Sequence, residues 1–303
     1  MVRVIPGGLD GGAPNVYLVE RSPAKPGGEP SPGASFPSVA SLNLGPKPGD
    51  LEANLRMAEE EIHRVKHDDP SIKYIVLPEL FTSGYSDLEN ISRHAEDAEH
   101  GMSVWRLSAL AHELDVFIAY GFPESLPGGG TATSANLVGP GSGGPLLTYR
   151  KRNLVETTPE HRVFTPGTEL PVVEAGGMRV ALVICWDIGH PETIREAAEN
   201  GAELVLAPAA WRDPWRPQYD LACAARALDN AVYLASANQI GAYPEATFGA
   251  FGGVYGPDGG RASESRGTAS VTPLDPFLPE TWRTFYGDTL HGRSAETFEE
   301  ACS

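Results

Sequence analysis

The chain has little of what staples or anchors a protein. Its three cysteines, Cys185, Cys223 and Cys302, lie far apart with no C-x-x-C or His-rich spacing, which argues against a disulfide scaffold and against a structural zinc site. None is needed, because a chain of 303 residues can bury about 75% of its unfolded surface. No apolar run approaches the roughly 20 residues that span a bilayer. Pro6, Gly7, Gly8 and Asp10 interrupt any signal-peptide core behind Arg3, so a soluble, cytoplasmic protein is expected. Basic residues are scarce as well: 23 Lys plus Arg against 40 Asp plus Glu give a formal net charge of −17. That balance disfavours nucleic-acid phosphates, where cationic contacts supply most of the affinity, and anionic lipid. Its plain consequence is solubility.

What is present is unevenly spread. Residues 1–37 hold seven Pro and seven Gly, a composition that cannot build a helix and buries little, so an irregular arm is expected there. Within it, Val16, Tyr17, Leu18 and Val19 are suited to an edge strand or to packing on a partner. From 38 onward strands and helices alternate. Residues 39–44 read as a strand. Asp50 then caps a helix whose apolar face carries Leu51, Leu55, Ala58, Ile62 and Val65. The run 74–77 is continuously apolar, the mark of a strand buried on both faces, and Pro78 stops it. A helix over 104–114, a strand over 116–120, hairpin strands around 135–138 and 146–149, and a strand over 180–184 follow. Later come a helix over 192–200 with Gly201 at its left-handed cap, a strand over 204–207, a helix over 219–229 and a strand over 232–237. The order implies sheets covered by helices. One domain over 38–275 is expected, with a tail over 276–303.

Three residues stand where chemistry is favoured. Cys185 follows an apolar strand and precedes the helix opened by Pro191 and Glu192; a thiol on such a turn is exposed to backbone dipoles that favour the thiolate. A nucleophilic cysteine needs a base. None of the eight histidines is placed convincingly for that role, and His190 is too near in sequence to Cys185. Glu79, just past a buried strand and crowded by Leu80, Phe81 and Tyr85, is the better base, since desolvation would raise its pKa towards neutrality. Lys151 ends the strand of residues 146–151; it reads either as a surface cation or as a fixed positive charge beside a developing oxyanion.

Taken in order, IVLPELFTSGY (75–85), LLTYRKRNL (146–154) and VALVICWDIGHPE (180–192) resemble the carbon–nitrogen hydrolase (nitrilase) superfamily. The flanks agree: ASLNLGPKPGDLEANL, EHRVFTPG, GAELVLAPAAW, RALDN, SANQIG and GVYGPDG fall in the family's order, so the likeness covers about 38–275. The resemblance implies an α/β fold, a four-layer αββα sandwich, with Glu79 as general base, Lys151 as oxyanion stabiliser and Cys185 as nucleophile. It also implies that Glu160 positions the lysine and that the Trp186 amide donates to the oxyanion. No cofactor and no metal are implied. Asn153 stands where the family often has histidine, His190 where an aromatic is usual, and Gly252 where serine is common.

The resemblance further implies hydrolysis of a non-peptide C–N bond in a small molecule through a cysteine thioester. Asp187 and Glu192 favour a linear amide or N-carbamoyl (ureide) substrate of the amidase and carbamoylase branch. A nitrile substrate is one alternative, and a catalytically silent binding protein another. Phe81, Tyr85, His190, Trp211 and Trp215 are candidate pocket walls. A homodimer or higher homo-oligomer is expected, with 1–37 or 276–303 at a subunit boundary.

Overall fold

The computed structural model describes residues 3–6, 17–20, 36–262, 264–287 and 290. The chain divides into two units, 1–35 and 36–303. In the first, Arg3–Pro6 pairs antiparallel with Tyr17–Glu20, so the arm contains a short ladder between two of its own segments. The rest of the arm and the end of the tail, 291–303, lie outside the described residues.

The second unit is built on two sheets. The larger has seven strands in the order Glu264–Arg266, Ala269–Pro273, Ser38–Leu42, Ile72–Val76, Phe117–Ser125, Thr131–Val138 and Pro145–Arg150. Its centre is parallel and its flanks are antiparallel. The smaller has five strands in the order Gly253–Tyr255, Tyr233–Asn238, Leu204–Ala209, Met178–Leu182 and Val172–Ala175.

Side chains alternate across each strand, and this sorts the apolar runs into layers. On the larger sheet Val39, Tyr74, Val76, Phe117 and Ala119 share one core with Val180, Leu182 and Leu206 of the smaller sheet. Their neighbours Ala40, Ile75, Leu77 and Ile118 form another core with Leu55, Ala58 and Ile62 of the helix Leu51–Asp68 and Leu107 and Leu110 of the helix Met102–Leu114. The helices Pro191–Glu199 and Arg216–Asn230 cover the smaller sheet through Ile194, Ala197, Tyr219 and Ala227. The result is the four-layer αββα sandwich. Tyr74 pins the two sheets, its hydroxyl donating to the carbonyls of Ala175 and Gly176 at 2.8 and 2.9 Å.

The elements fall near their expected places, with instructive differences. Asp50 caps its helix by accepting from the Ala53 amide at 3.1 Å. The strand predicted over 116–120 runs on as Phe117–Ser125. Its polar end remains in the ladder because buried Glu124 is satisfied by Arg150 and Ser134. In the tail, Leu278–Tyr286 is a helix, and Leu278 packs on the core between the sheets. No helix among the described residues is long and apolar enough to cross a membrane.

The ends of the larger sheet's central strands need close backbone approach. The turn of residues 78–80 lies on Gly121, whose amide donates to Pro78 O at 3.2 Å. A Cβ at Gly121 would meet Leu80 N at 2.5 Å and the Glu79 Cα at 2.7 Å. Gly121→Ala is therefore expected to destabilise the protein by about 1–3 kcal/mol and to displace Glu79. A Tm equal to that of the parent, with unchanged activity, would contradict this account.

Candidate active site

Glu79 sits on the turn that follows Ile72–Val76, and its amide is tied across to the other sheet by a bond to Ala209 O at 3.2 Å. Lys151 follows Pro145–Arg150. Its amide donates to Thr133 O, and its carbonyl accepts from Gly167, both at 2.9 Å. A side chain at Gly167 would meet Arg150 O at 2.3 Å, so only glycine closes this loop. Glu160 opens the short helix Glu160–Val163. The three side chains meet: Lys151 Nζ donates to Glu79 Oε1 at 2.7 Å and to both oxygens of Glu160 at 2.9 Å. All three are fully buried.

Glu160 is further held by the Tyr85 hydroxyl at 2.6 Å and the Val155 amide at 2.9 Å. Glu79 is held less completely, because its Oε2 is buried and accepts no hydrogen bond. Cys185 is close enough to act on that carboxylate. The thiol sits at the start of the turn Cys185–Gly189 with φ of 48°, a conformation that L-residues seldom adopt. Neighbouring Trp186 lies in the first turn of this short helix, where an N–H has no intrahelical acceptor.

Asp187 fixes that turn. It is fully buried and accepts from the amides of Ile184 and Asn153, from Asn153 Nδ2 and from the Tyr149 hydroxyl, at 2.8 to 3.0 Å. Tyr149 and Asn153 flank Lys151 by two residues each. One carboxylate thus connects the cysteine's turn to the lysine's strand. Sequence reasoning treated Asp187 only as a mark of substrate branch and Asn153 only as a departure from the family. Their joint role had a signal, an acid two residues past the cysteine, but its partner could be found only in space.

The electrostatics follow from burial. Desolvation raises Glu79 to about 7, against the lowering effect of Lys151 and with further help from Glu160. Burial alone would strip the proton from Lys151, but Glu160 and Glu79 outweigh it and hold the ammonium well above its ordinary pKa. Burial, reinforced by Glu79, pushes the Cys185 thiol well up, so the resting sulfur is protonated.

Cys185 opens onto a cavity of about 760 Å³, within the range of small-molecule sites. Tyr85, Trp186, His190, Trp211 and Trp215 line it. Trp211 stacks on Tyr219 at 5.1 Å and meets Trp186 at 5.4 Å, while His190 stands edge-on to Trp186 and 3.4 Å from Glu192. Phe81 does not line this cavity and is corrected from a wall to a core residue. It joins the layer under the first two long helices and is fully buried. Asn238 was missed. It accepts from the Trp211 amide at 2.6 Å and donates to its carbonyl at 3.1 Å, fixing that wall. At Gly252 a Cβ would meet Ser236 O at 2.0 Å, which accounts for glycine where serine is usual.

The buried cluster carries two acids and one base, and its stability should depend on pH. Glu79 has a folded-state pKa above its ordinary 4.5, so its ionisation opposes folding. That penalty is absent below about pH 4.5, grows to about pH 7 and is constant above, at ~3 kcal/mol. Glu79→Gln is expected to melt above the parent at pH 8, the gap closing as pH falls to 4.5. Lys151→Met leaves two buried carboxylates without their cation and is expected to lose about 3–5 kcal/mol at pH 8. Melting curves across pH check both; a pH-independent gap for Glu79→Gln would reject the first.

Comparison with known proteins agrees with this architecture. Residues 38–271 match the carbon–nitrogen hydrolase family model. A probable nitrilase of Schizosaccharomyces pombe is 32% identical over 84% of this chain and 95% of its own length. A 2-oxoglutaramate amidase of Bacillus subtilis is 28% identical over 80% and 92%. Among solved structures, Nit3 of Saccharomyces cerevisiae, a nitrilase-superfamily member, superposes with a TM-score of 0.77 at 26% identity, covering 86% of this chain and 98% of Nit3. The amidase of Nesterenkonia sp. AN1, in a cysteine-to-alanine mutant form, superposes at 0.72 and 26%, covering 88% and 97%. With its fold, its ordered segments and its family match in agreement, the chain belongs to the carbon–nitrogen hydrolase family and is an amidase-like hydrolase.

Proposed function

We propose that the protein hydrolyses the C–N bond of a small linear amide through a thioester on Cys185, with Glu79 as base and Lys151 as the charge that receives the oxyanion. The observation that carries this reading is the free Oε2 of Glu79, an unpaired buried acceptor beside a protonated thiol. Relatives named as amidases support it. So does the Nesterenkonia amidase, one structure of which holds acrylamide added at its active-site cysteine.

The geometry supports the following steps. Glu79 takes the thiol proton, and the sulfur attacks the carbonyl carbon. At rest Lys151 Nζ spends its three donors on three carboxylate oxygens. Once Glu79 is protonated its Oε1 becomes a weaker acceptor, and a Lys151 donor turns to the oxyanion, helped by the Trp186 amide. Glu79 then gives its proton to the departing nitrogen, the C–N bond breaks, and ammonia or an amine leaves. Water passes a proton to Glu79 and its hydroxide attacks the thioester. Collapse of that adduct expels the sulfur, which recovers the proton. Glu160 takes no proton; with Tyr85 it fixes the ammonium, and Asp187 fixes the sulfur.

Two outcomes test this reading. Ammonia release from an amide panel is expected to fall at least about 10⁴-fold in Cys185→Ala. In the parent, kcat/KM is expected to fall as pH drops through about 7, because protonated Glu79 cannot accept from the thiol. Retention of ammonia release by Cys185→Ala would sink the thiol route. A matched amide and nitrile pair separates the amidase reading from that of relatives named as nitrilases, the amide being turned over faster.

A further inference from the structure

The turn that carries Glu79 is held at its far end by a residue of the other sheet. Residues 79–85 leave the larger sheet through Leu80, with a φ of 47°, and close at Tyr85, whose hydroxyl donates to Glu160 at 2.6 Å. Gln239, fully buried, follows the strand Tyr233–Asn238 of the smaller sheet. Its side-chain oxygen accepts from the Tyr85 amide at 2.8 Å in a buried hydrogen bond. Its own amide donates to Ala209 O at 2.9 Å, the carbonyl that also receives the Glu79 amide at 3.2 Å. Gln239 is thus connected to both ends of the turn, to one through its side chain and to the other through a shared acceptor.

A glutamine at this place is costly in one respect. Its Nε2 is buried and finds no acceptor among the described residues. A backbone amide can only donate, so the Tyr85 N–H fixes which end of the glutamine faces it and leaves the nitrogen on the other side. An orphaned buried donor is destabilising, and an apolar side chain of similar length would avoid it. Such a side chain could not satisfy the Tyr85 amide. Other supports of this region act elsewhere. Asn54 donates to Thr82 O at 3.0 Å, and the Gly49 amide to Ser83 O at 2.8 Å. Beyond the turn, the Ser86 hydroxyl donates to Glu245 at 2.8 Å, and the Tyr85 ring meets Phe248 edge-on at 6.1 Å. The backbone amide of Tyr85 itself is held by Gln239.

That hold reaches the ammonium. The Tyr85 hydroxyl and Lys151 Nζ donate to the same oxygen of Glu160, at 2.6 and 2.9 Å, so the tyrosine's place sets the carboxylate on which the ammonium rests. The contacts run from Gln239 through Tyr85 and Glu160 to Lys151, and every member is buried. They also refer the lysine to the sheet that presents the sulfur, because the Cys185 thiol interacts with the backbone of Ala210, next to the shared carbonyl of Ala209. Gln239 does not line the cavity. Resting on the thioester reading above, we infer that Gln239 is a positioning residue for the reaction: through the Tyr85 backbone it sets Glu160, and through Glu160 the Lys151 ammonium that receives the oxyanion.

Two variants test this. Gln239→Met removes the acceptor at similar size, and Gln239→Asn withdraws it by one methylene. Each is expected to lower kcat for butyramide at least about tenfold while KM changes less than about threefold. Tyr85→Phe, which takes the hydroxyl from Glu160, is expected to lower kcat as well. Adding Gln239→Met to Tyr85→Phe is expected to lower it less than about threefold further, because both changes break one chain of contacts. Butyraldehyde supplies a readout that needs no C–N cleavage. The sulfur bonds to its carbonyl carbon, the π pair passes to the oxygen, and the thiol proton ends on that oxygen. This adduct, followed by the fluorescence of the cavity tryptophans and absent in Cys185→Ala, is expected to form at least about tenfold more weakly in both Gln239 variants. Parent-like kcat and aldehyde affinity, a loss confined to KM, or losses that multiply with that of Tyr85→Phe would overturn the inference. A parent that binds the aldehyde, more tightly than the Gln239 variants do, yet hydrolyses no amide would fault the amidase reading and leave the positioning role standing.

Discussion

The ammonium of Lys151, enclosed with two carboxylates and fully buried, is the constraint around which the rest of the site is arranged. Three ions are buried completely, and their mutual contact, with the donors that Tyr85 and Val155 give Glu160, offsets the loss of hydration. Glu79 arrives from the turn after Ile72–Val76, and Lys151 and Glu160 from the segment after Pro145–Arg150, so the cluster forms only if both strand ends and that segment are in place. Gly121 and Gly167 make that convergence sterically possible. Tyr85 and the Val155 amide occupy the remaining lone pairs of Glu160, leaving a single oxygen of Glu79 unclaimed. Burial, with Glu160 adding to it against the pull of Lys151, raises that carboxylate to about 7, the range the proposed base would need.

The thiol is presented by the other sheet, and its placement depends on a third buried acid. Asp187 ties the turn after Met178–Leu182 to Tyr149 and Asn153 on either side of the lysine. Two carboxylate-centred networks therefore share one lysine strand, one around the ammonium and the other around the turn that carries Cys185. The aromatic wall is attached to a third device, the amide of Asn238 at the end of the adjacent strand, which clamps the Trp211 peptide.

Much of this was legible in the sequence because it depends on local order. Periodicity located the strand before Pro78, the helix capped by Asp50 and the strand leading to Cys185, and the ordered segments around Glu79, Lys151, Glu160 and Cys185 marked the residues that converge. Features set by contacts distant in sequence were not legible. Phe81 sits among pocket candidates in the chain, but it faces the helices, because orientation after a left-handed turn at Leu80 (φ 47°) does not continue the alternation of the strand. Glu124 looks like a loop acid until Arg150 pairs with it across the sheet. The partnership of Asn153 with Asp187, and the clamp made by Asn238, likewise link segments whose spacing carries no periodic signal.

Because Glu79 belongs to one sheet and Cys185 to the other, the proposed reacting geometry straddles the interior seam of the sandwich. Sliding of one layer against the other by a fraction of a side chain would part the thiol from Glu79 while leaving every strand ladder and both helical coats unbroken. The ties that resist such sliding are hydrogen bonds across the seam, among them the Tyr74 hydroxyl on the carbonyls of Ala175 and Gly176, the Glu79 amide on Ala209, the Ser41 hydroxyl on Ser236 O and the Tyr149 hydroxyl on Asp187. Heat-driven inactivation in this architecture should therefore set in as a loosening between layers, ahead of any loss of secondary structure.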